Sequence, residues 1–578
     1  MFCNVPIALL QLGHNALGAI CPKQLGVFWH LIDWQRVHYI VKNLQGRLVK
    51  AVQNGKWRIV RSLQRLLTTS MSGKLLAIRR VTENKGRQSA GIDKVLWDSP
   101  AKKWQARLQL RTQGYKAQAV RVVKIPKKNG KWRKLGIPTM RDRAMQALYL
   151  LALDPISETL ADGHSYGFRK YRSCADAIRQ CHIVLCKGSS PTWILEADIK
   201  GCFDHINHDW LLKHIPLPNR ILRTWLKSGQ IGKDGKRFST TEGTPQGAII
   251  SPTLANMTLD GLQPQLYEAM DIVYRSDGGI KYNPHQIHFI RYADDFIITS
   301  NNPSVLTHQV KPLVVQFLQQ RGLQLSEAKT QITHIHHGFD FLGKTIRKFN
   351  GKLLTYPSKA NVQTFLHNIK TTIKRHPSVK SSVLIHQLNP KIKGWAMYHR
   401  ADAAKATFYK VEHLIWQMIW KWCVRRHGNK GKRWVQQKYF TCLNNDHWTF
   451  YDTDENDNIV YLMKMGKVRI KRHTKIRSSA NPYDPMDEPY FEKRIQSQLL
   501  NQHGGKVLLR QLYRRQKGKC PRCQQMITQA SGWNIHHRIP RYLGGATTWN
   551  NLILLHPVCH QQVHYTPNTP TALLRETQ

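Results

Sequence analysis

Three carboxylates stand in settings suited to metal-assisted phosphoryl transfer: Asp198, Asp294 and Asp295. The last two are adjacent in Tyr292-Ala293-Asp294-Asp295, between apolar, strand-prone runs at 288–291 and 296–298. A pair so placed falls where a hairpin turns. Neighbouring strand residues face opposite sides, so one acid can face a cation while the other supports it. An isolated Asp-Asp at a turn is ordinarily solvated surface, but Asp198 alters the weighing. It closes the strand-like run 193–197 and can meet Asp294 across a sheet. Nucleotidyl transfer from a triphosphate uses two divalent cations about 4 Å apart, one activating the attacking 3′ oxygen and one holding the leaving phosphates. Three convergent carboxylates supply such a site.

A second set lies near the C-terminal end. Cys520-x-x-Cys523, followed by His556-x-x-Cys559, offers four ligands of the kind that close a tetrahedral zinc site. Such a site staples a small domain that burial alone cannot hold together. Spacing leaves open whether Cys559 or its neighbour His560 turns inward. His536, His537, Asn551 and His564 remain for chemistry. A purely structural knuckle would need neither the paired histidines nor the asparagine.

Elements that must position these groups follow from periodicity. Residues 31–85 read as helical and basic, with Trp34, Val37, Ile40 and Val41 on one apolar face. From 115 to 345, strand-length apolar runs alternate with helical stretches, the pattern of an α/β domain. From 355 to 440 the pattern is helical again and strongly basic. Only Asp402 and Glu412 are acidic there, and Trp395, Trp416, Trp420 and Trp422 are interleaved, a composition fit to clamp a duplex. Residues 441–500 are less regular, with Asn-Pro and Asp-Pro turns.

Charge narrows the partner. The 578 residues carry 88 Lys and Arg against 35 Asp and Glu, a net +53 spread along the chain. That excess repels itself unless a polyanion neutralises it, so nucleic acid is the expected partner. Pro6, His14 and Asn15 interrupt the apolar stretch 5–20, which reads as neither signal peptide nor membrane span. Eleven cysteines without a secretory signal suit a reducing compartment, so a cytoplasmic, nucleoid-associated protein without membrane contact is expected.

The ordered motifs resemble those of reverse transcriptases, specifically proteins encoded within group II introns. Gly86–Asp93 resembles their N-terminal extension motif; Val123–Lys127, Asn129–Arg133, Leu135–Thr139 and Asp142-Arg143 resemble the fingers. Gly243–Gly247 with Ser251-Pro252 resembles the loop beneath the templating pair. Leu325–Thr330 and Gly338–Gly343 resemble later palm motifs, and Pro390–Trp395 the thumb used in splicing. The resemblance implies that Asp198 and Asp294 bind two Mg²⁺ ions, with Asp295 in support and the Ile199 carbonyl as a further ligand. Lys127 and Arg133 would neutralise a deoxynucleoside triphosphate, Phe203 would exclude a 2′-hydroxyl, Gln246 would position nucleotide and template, and Lys329 would contact the phosphates.

The C-terminal order resembles the HNH nuclease family. That implies His537 as general base, His536, His560 and His564 as ligands of one catalytic Mg²⁺ or similar cation, and Asn551 as the residue orienting the motif. Cys520, Cys523, His556 and Cys559 would hold structural Zn²⁺.

The fold expected is multidomain α/β plus α: a right-hand polymerase with a helical thumb and a zinc-stapled ββα nuclease. Its expected divisions are an extension at 1–30, an N-terminal helical region at 31–110, fingers and palm at 111–350, and a thumb at 351–440. A DNA-binding segment at 441–503, the nuclease at 504–570 and a tail at 571–578 complete it. The implied function is RNA-directed DNA synthesis, splicing of the bound intron RNA, and nicking of the second target-DNA strand, so that an RNA template is copied from a DNA primer. Two contrasting expectations are a splicing protein with vestigial polymerase or nuclease, and a host-defence reverse transcriptase without an intron.

Overall fold

The computed structural model describes residues 22–126, 132–232, 234–275, 279–443, 446–502 and 507–565. Lys127, residues 1–21 and the tail 571–578 lie outside the described residues.

The chain opens with α1 (Pro22–His30) and α2 (Trp34–Gln53). Thus the expected extension at 1–30 supplies a helix to the core through Leu25 and Trp29, which are 2% and 3% exposed. Asp33 starts α2 by accepting a hydrogen bond from the Arg36 N–H at 3.0 Å. The fingers strands β1 (Val120–Pro126) and β2 (Trp132–Ile137) pair antiparallel, Arg121 opposite Ile137.

Helix α3 (Met140–Leu160) runs through the centre, with Ala144, Met145, Ala147, Leu148 and Leu153 wholly buried. Its first turn explains two of the fingers residues. The Asp142 carboxylate accepts from the Tyr115 and Thr139 hydroxyls, each at 2.7 Å, and from the Gln118 N–H. Arg143 donates to the carbonyls of Gly86 and Ser89, tying down the N-terminal extension motif. A Cβ on Gly91 would lie 2.6 Å from Thr139 Cα, so only glycine permits that approach. These residues build the fingers.

The palm sheet contains β3 (Trp193–Asp198), β4 (His288–Tyr292), β5 (Asp295–Ser300) and β6 (Gln331–His334) in the order β6-β3-β5-β4, all antiparallel. Leu195, Phe289, Phe296 and Ile298 face the large core shared with α3. Ile194, Ile290 and Ile297 face a second core closed by the helix Cys174–Leu185. Burying apolar side chains on both faces contributes about 1.5–3 kcal/mol each and fixes the register, because a one-residue slip would exchange the faces.

The thumb comprises α4 (Lys359–Arg375), α5 (Ser381–Tyr398) and α6 (Lys405–Arg426) around Ile369, Leu388, Phe408 and Ile419. The segment expected as a separate DNA-binding unit at 441–503 divides its packing. A three-stranded sheet, Phe440–Thr441, Thr449–Thr453 and Ile459–Tyr461, joins the thumb core through Phe440 and Phe450. Farther on, Ile476, Ala480 and Phe491 enter the palm core, where Asp176 receives His473, Arg494 and the Ile476 N–H.

The C-terminal unit is a hairpin, β7 (Asn534–His537) and β8 (Leu552–Leu555), followed by α7 (Pro557–Tyr565). It packs against the N-terminal helices. Gln562 donates to the carbonyls of His30 and Ile32 at 2.9 and 3.0 Å, and Tyr565 stacks on His30 at 4.2 Å. Among the described residues no helix is long and apolar enough to cross a membrane.

Candidate active sites and metal centres

The palm site forms at one end of the sheet. Tyr292 pairs with Asp295, leaving Ala293 and Asp294 as a two-residue turn. The register places Asp198 opposite Asp295, not opposite Asp294 as anticipated; Asp294 projects from the turn itself. Asp198 and Asp295 are hydrogen-bonded through their side chains, and Asp294 is near enough to repel both. Burial comes first, followed by the Asp198 hydrogen bond and repulsion from Asp294, in pushing Asp295 up to about 7. Burial and Asp198 also raise Asp294, against the pull of Lys329 and Arg133. Acids so crowded hold protons in one another's company, and cations between them remove the repulsion. The donor set fits divalent metal, whose preferred ligands are carboxylate oxygens.

Two cations of the chain already answer this charge. Lys329 reaches Asp198 at 2.6 Å while two-thirds exposed. Arg133, exposed on β2, lies within electrostatic reach of Asp294. Phe203 lies in the short helix Cys202–His205, half-buried, and meets Phe168 edge-on at 6.0 Å. Gln246 belongs to a loop braced on both sides. Its carbonyl accepts from the Gly136 N–H at 2.7 Å, and the Thr244 N–H donates to the Phe203 carbonyl at 2.7 Å. Ile199, just past β3, bridges to Leu325.

Several contacts that hold this turn are not legible in the sequence. Ala293 has φ +58°, a left-handed conformation that glycine prefers and alanine adopts at a cost. Arg291 is 1% exposed, donates to the Ala293 carbonyl at 3.3 Å, and pairs with buried Asp260. Asn256 donates to the Gly167 carbonyl at 2.9 Å, and a Cβ on Gly167 would lie 2.2 Å from Ala293 N. Phe168, 56% exposed with φ +59°, is set beside Phe203 by the same turn. Ala293 lies within the Tyr-Ala-Asp-Asp motif and Arg291 beside it; Asp260, Asn256, Gly167 and Phe168 carry no sequence signal.

In the C-terminal unit two donor clusters separate. Cys520, Cys523, His556 and Cys559 are buried with their ligand atoms within 4.8 Å of one another, and Cys523 Sγ lies 3.2 Å from His556 Nδ1. Burial would lower His556, but hydrogen bonds and charge from Cys520 and Cys523 raise it to about 9. Three thiols and one imidazole at this spacing fit tetrahedral zinc. Cys559 therefore turns inward, and His560 joins the other cluster.

That cluster is His536, His560 and His564, also within 4.8 Å of one another; His560 and His564, one helical turn apart, have Nε2 atoms 3.2 Å apart. Burial first, then His560, His564 and His537, lower His536 to about 4, leaving it neutral and able to ligate. His537 Nε2 lies 3.2 Å from the Thr547 hydroxyl. Asn551 spans the hairpin connection, accepting from the Ile539 N–H at 2.8 Å and donating to the carbonyls of Ile539 and Ala546.

A hand-shaped polymerase with a carboxylate turn, joined to a ββα histidine site, defines the class, and the family models that the chain matches agree with it. Residues 125–346 match the model of reverse transcriptase (RNA-dependent DNA polymerase) and 29–110 that of the N-terminal domain of reverse transcriptase. Residues 362–440 match the group II intron maturase-specific domain and 520–566 the HNH endonuclease. Protein YkfC of Escherichia coli (strain K12) is 32% identical, over 54% of this chain and 89% of that protein. Group II intron-encoded protein LtrA of Lactococcus lactis subsp. cremoris is 27% identical, over 57% of this chain and 65% of that protein. Among solved structures, telomerase from Candida albicans superposes with TM-score 0.33 and 12% identity, over 56% of this chain and 64% of that one. The chain belongs to the group II intron-encoded reverse transcriptases and maturases that carry an HNH endonuclease domain.

Proposed function

We propose that the chain copies its own intron RNA into DNA from a primer that its nuclease creates in the target duplex. The observation carrying this reading is the convergence of Asp198, Asp294 and Asp295 at the end of the palm sheet. In this reading Asp198 and Asp294 hold two Mg²⁺ ions with the Ile199 carbonyl, and Asp295 keeps Asp198 oriented. The bound ions would supply charge for the attacking 3′ oxygen and the leaving phosphates. Lys127 and Arg133 neutralise the triphosphate, and Lys329 leaves Asp198 for the phosphates as the nucleotide arrives. Phe203 stands where a 2′-hydroxyl would sit, so deoxynucleotides are accepted, and Gln246 aligns the pair with the template.

In the nuclease, His537 takes a proton from water while His536, His560 and His564 hold the single catalytic cation and Asn551 keeps the hairpin connection closed. Structural zinc rests on Cys520, Cys523, His556 and Cys559. The divisions proposed are the N-terminal helices, fingers and palm, a thumb that binds intron RNA, a DNA-binding stretch after 441, and the nuclease from 504. A ribonucleoprotein working on cytoplasmic, nucleoid DNA completes the scheme.

The test is primer extension on an RNA template with Mg²⁺ and deoxynucleotides, beside Asp294→Asn. Extension by the unaltered chain alone is the expected result. Failure of both, with tight RNA binding intact, would replace this reading with a maturase that has lost polymerase activity.

A further inference from the structure

The connection between the two nuclease strands, residues 538–551, is not slack. The Arg538 N–H donates to the Asn551 carbonyl, the Leu543 and Gly545 N–H groups donate to the Pro540 carbonyl, and the Asn551 side chain closes the middle. Gly544 ends the turn Arg541–Leu543 at φ +82°, and a Cβ on Gly545 would lie 1.8 Å from the Ile539 carbonyl oxygen. A backbone locked this way holds its tip at a fixed place. The tip is apolar and stands in water. Tyr542 is 86% exposed, more than any other large hydrophobic residue among the described residues, and Leu543 is 65% exposed. Rigidly presented apolar side chains mark a contact surface.

The charge around the tip says what it contacts. Residues 507–565 contain eight Lys and Arg and no Asp or Glu, so the partner is a polyanion. The extended apolar surface that a duplex offers is the faces of its stacked bases. The connection also starts one residue after His537, beside the site that would attack a phosphate.

We infer that Tyr542 and Leu543 form a wedge that enters the minor groove of the target duplex and opens a base step beside the nicked phosphate. This deepens the DNA-nuclease reading and rests on it. Wedges of this type unstack a step and kink the duplex toward the major groove, which would swing the neighbouring phosphate toward His537. The energetic burden is least where the step is already weak, so mismatched or flexible steps are nicked faster.

The full chain with its intron RNA is assayed on the duplex of joined exons, fully paired or mismatched at the step beside the nick. Tyr542→Ala with Leu543→Ala is expected to nick paired DNA at least about tenfold more slowly, and mismatched DNA within about twofold of the unaltered chain. Tyr542→Phe, which keeps the ring, retains nicking of both. In a His537→Ala background, 2-aminopurine at the step brightens on binding, and the double alanine change abolishes the brightening. Equal nicking of paired DNA with and without the wedge, or unchanged fluorescence, would overturn the wedge and leave the nuclease standing. Loss of nicking on both duplexes in Tyr542→Phe would also overturn it. No nicking of either duplex by the unaltered chain would overturn the nuclease reading, and the wedge with it.

Discussion

The palm and the nuclease solve one problem, gathering side chains able to hold cations, by opposite means. In the palm, Asp198 and Asp295 are 97 residues apart in sequence and meet because a four-stranded sheet is packed on both faces. In the nuclease, His536, His560 and His564 meet on a two-stranded hairpin and one helix, braced by a second donor cluster at Cys520, Cys523, His556 and Cys559. One site depends on strand register within a large core; the other sits on a short hairpin and helix beside a second donor cluster. Each should therefore fail separately.

The largest separation is expected from the carboxylates. Asp294→Asn should reduce primer extension about 10⁴-fold, several kcal/mol of lost charge stabilisation, with nicking and RNA binding intact. Loss of all three would break the comparison. His537→Ala should do the converse, slowing nicking about 10³-fold while extension persists. Unimpaired nicking by that variant would remove His537 as the base. Next comes the staple. Stripping zinc, or Cys523→Ser, should lower nicking about 10²-fold and remove the nuclease's own unfolding transition, and extension should stay near normal. Extension lost in parallel would mean that the palm leans on the staple.

A subtler change sharpens the palm half. Gly167→Ala puts a methyl against Ala293 N, displacing the catalytic turn, so kcat should fall about 10²-fold with little change in KM. An unaffected kcat would show that the turn has slack. The smallest effect is acid sensitivity. Burial first, then Lys475 and His288, lower His164 to about 3, and burial lowers His288 to about 4. Both are neutral when folded, so below their ordinary value near 6.5 the unfolded chain takes up protons that the folded chain refuses. Polymerase stability is then full above about pH 6.5 and declines toward pH 4. The thermal midpoint should drop by a few degrees from pH 7 to pH 5, and less in His164→Gln. A flat profile would contradict the neutral burial.

The same contrast explains what was legible in the sequence. The residues of the two donor clusters lie within 45 residues, in C-x-x-C, H-x-x-C and i, i+4 spacings whose geometry local structure dictates, so the clustering was legible. Only the choice between Cys559 and His560 needed the fold. In the palm, the acids were legible as strand ends, but their register was not, because pairing depends on which faces the surrounding helices bury. Asp260, Asn256 and Gly167 were not legible at all, and Arg291 only by its adjacency to the turn. Each is a single residue whose meaning comes from one long-range contact, such as the buried Arg291–Asp260 pair, where loss of one partner costs about 3–5 kcal/mol. The region after 441 read as irregular because its strands are only two to five residues long and complete other units' cores.

The seam where Gln562 and Tyr565 meet His30 and Ile32 has a metric consequence. It makes the two halves a caliper. In the proposed scheme, a duplex gripped by both halves would have the stagger between its RNA-bearing strand and its nicked strand set by a dimension of the protein, not of the DNA. Loosening the seam by His30→Ala with Gln562→Ala, which removes the ring stack and both hydrogen bonds, would scatter that length, read directly as heterogeneous junctions.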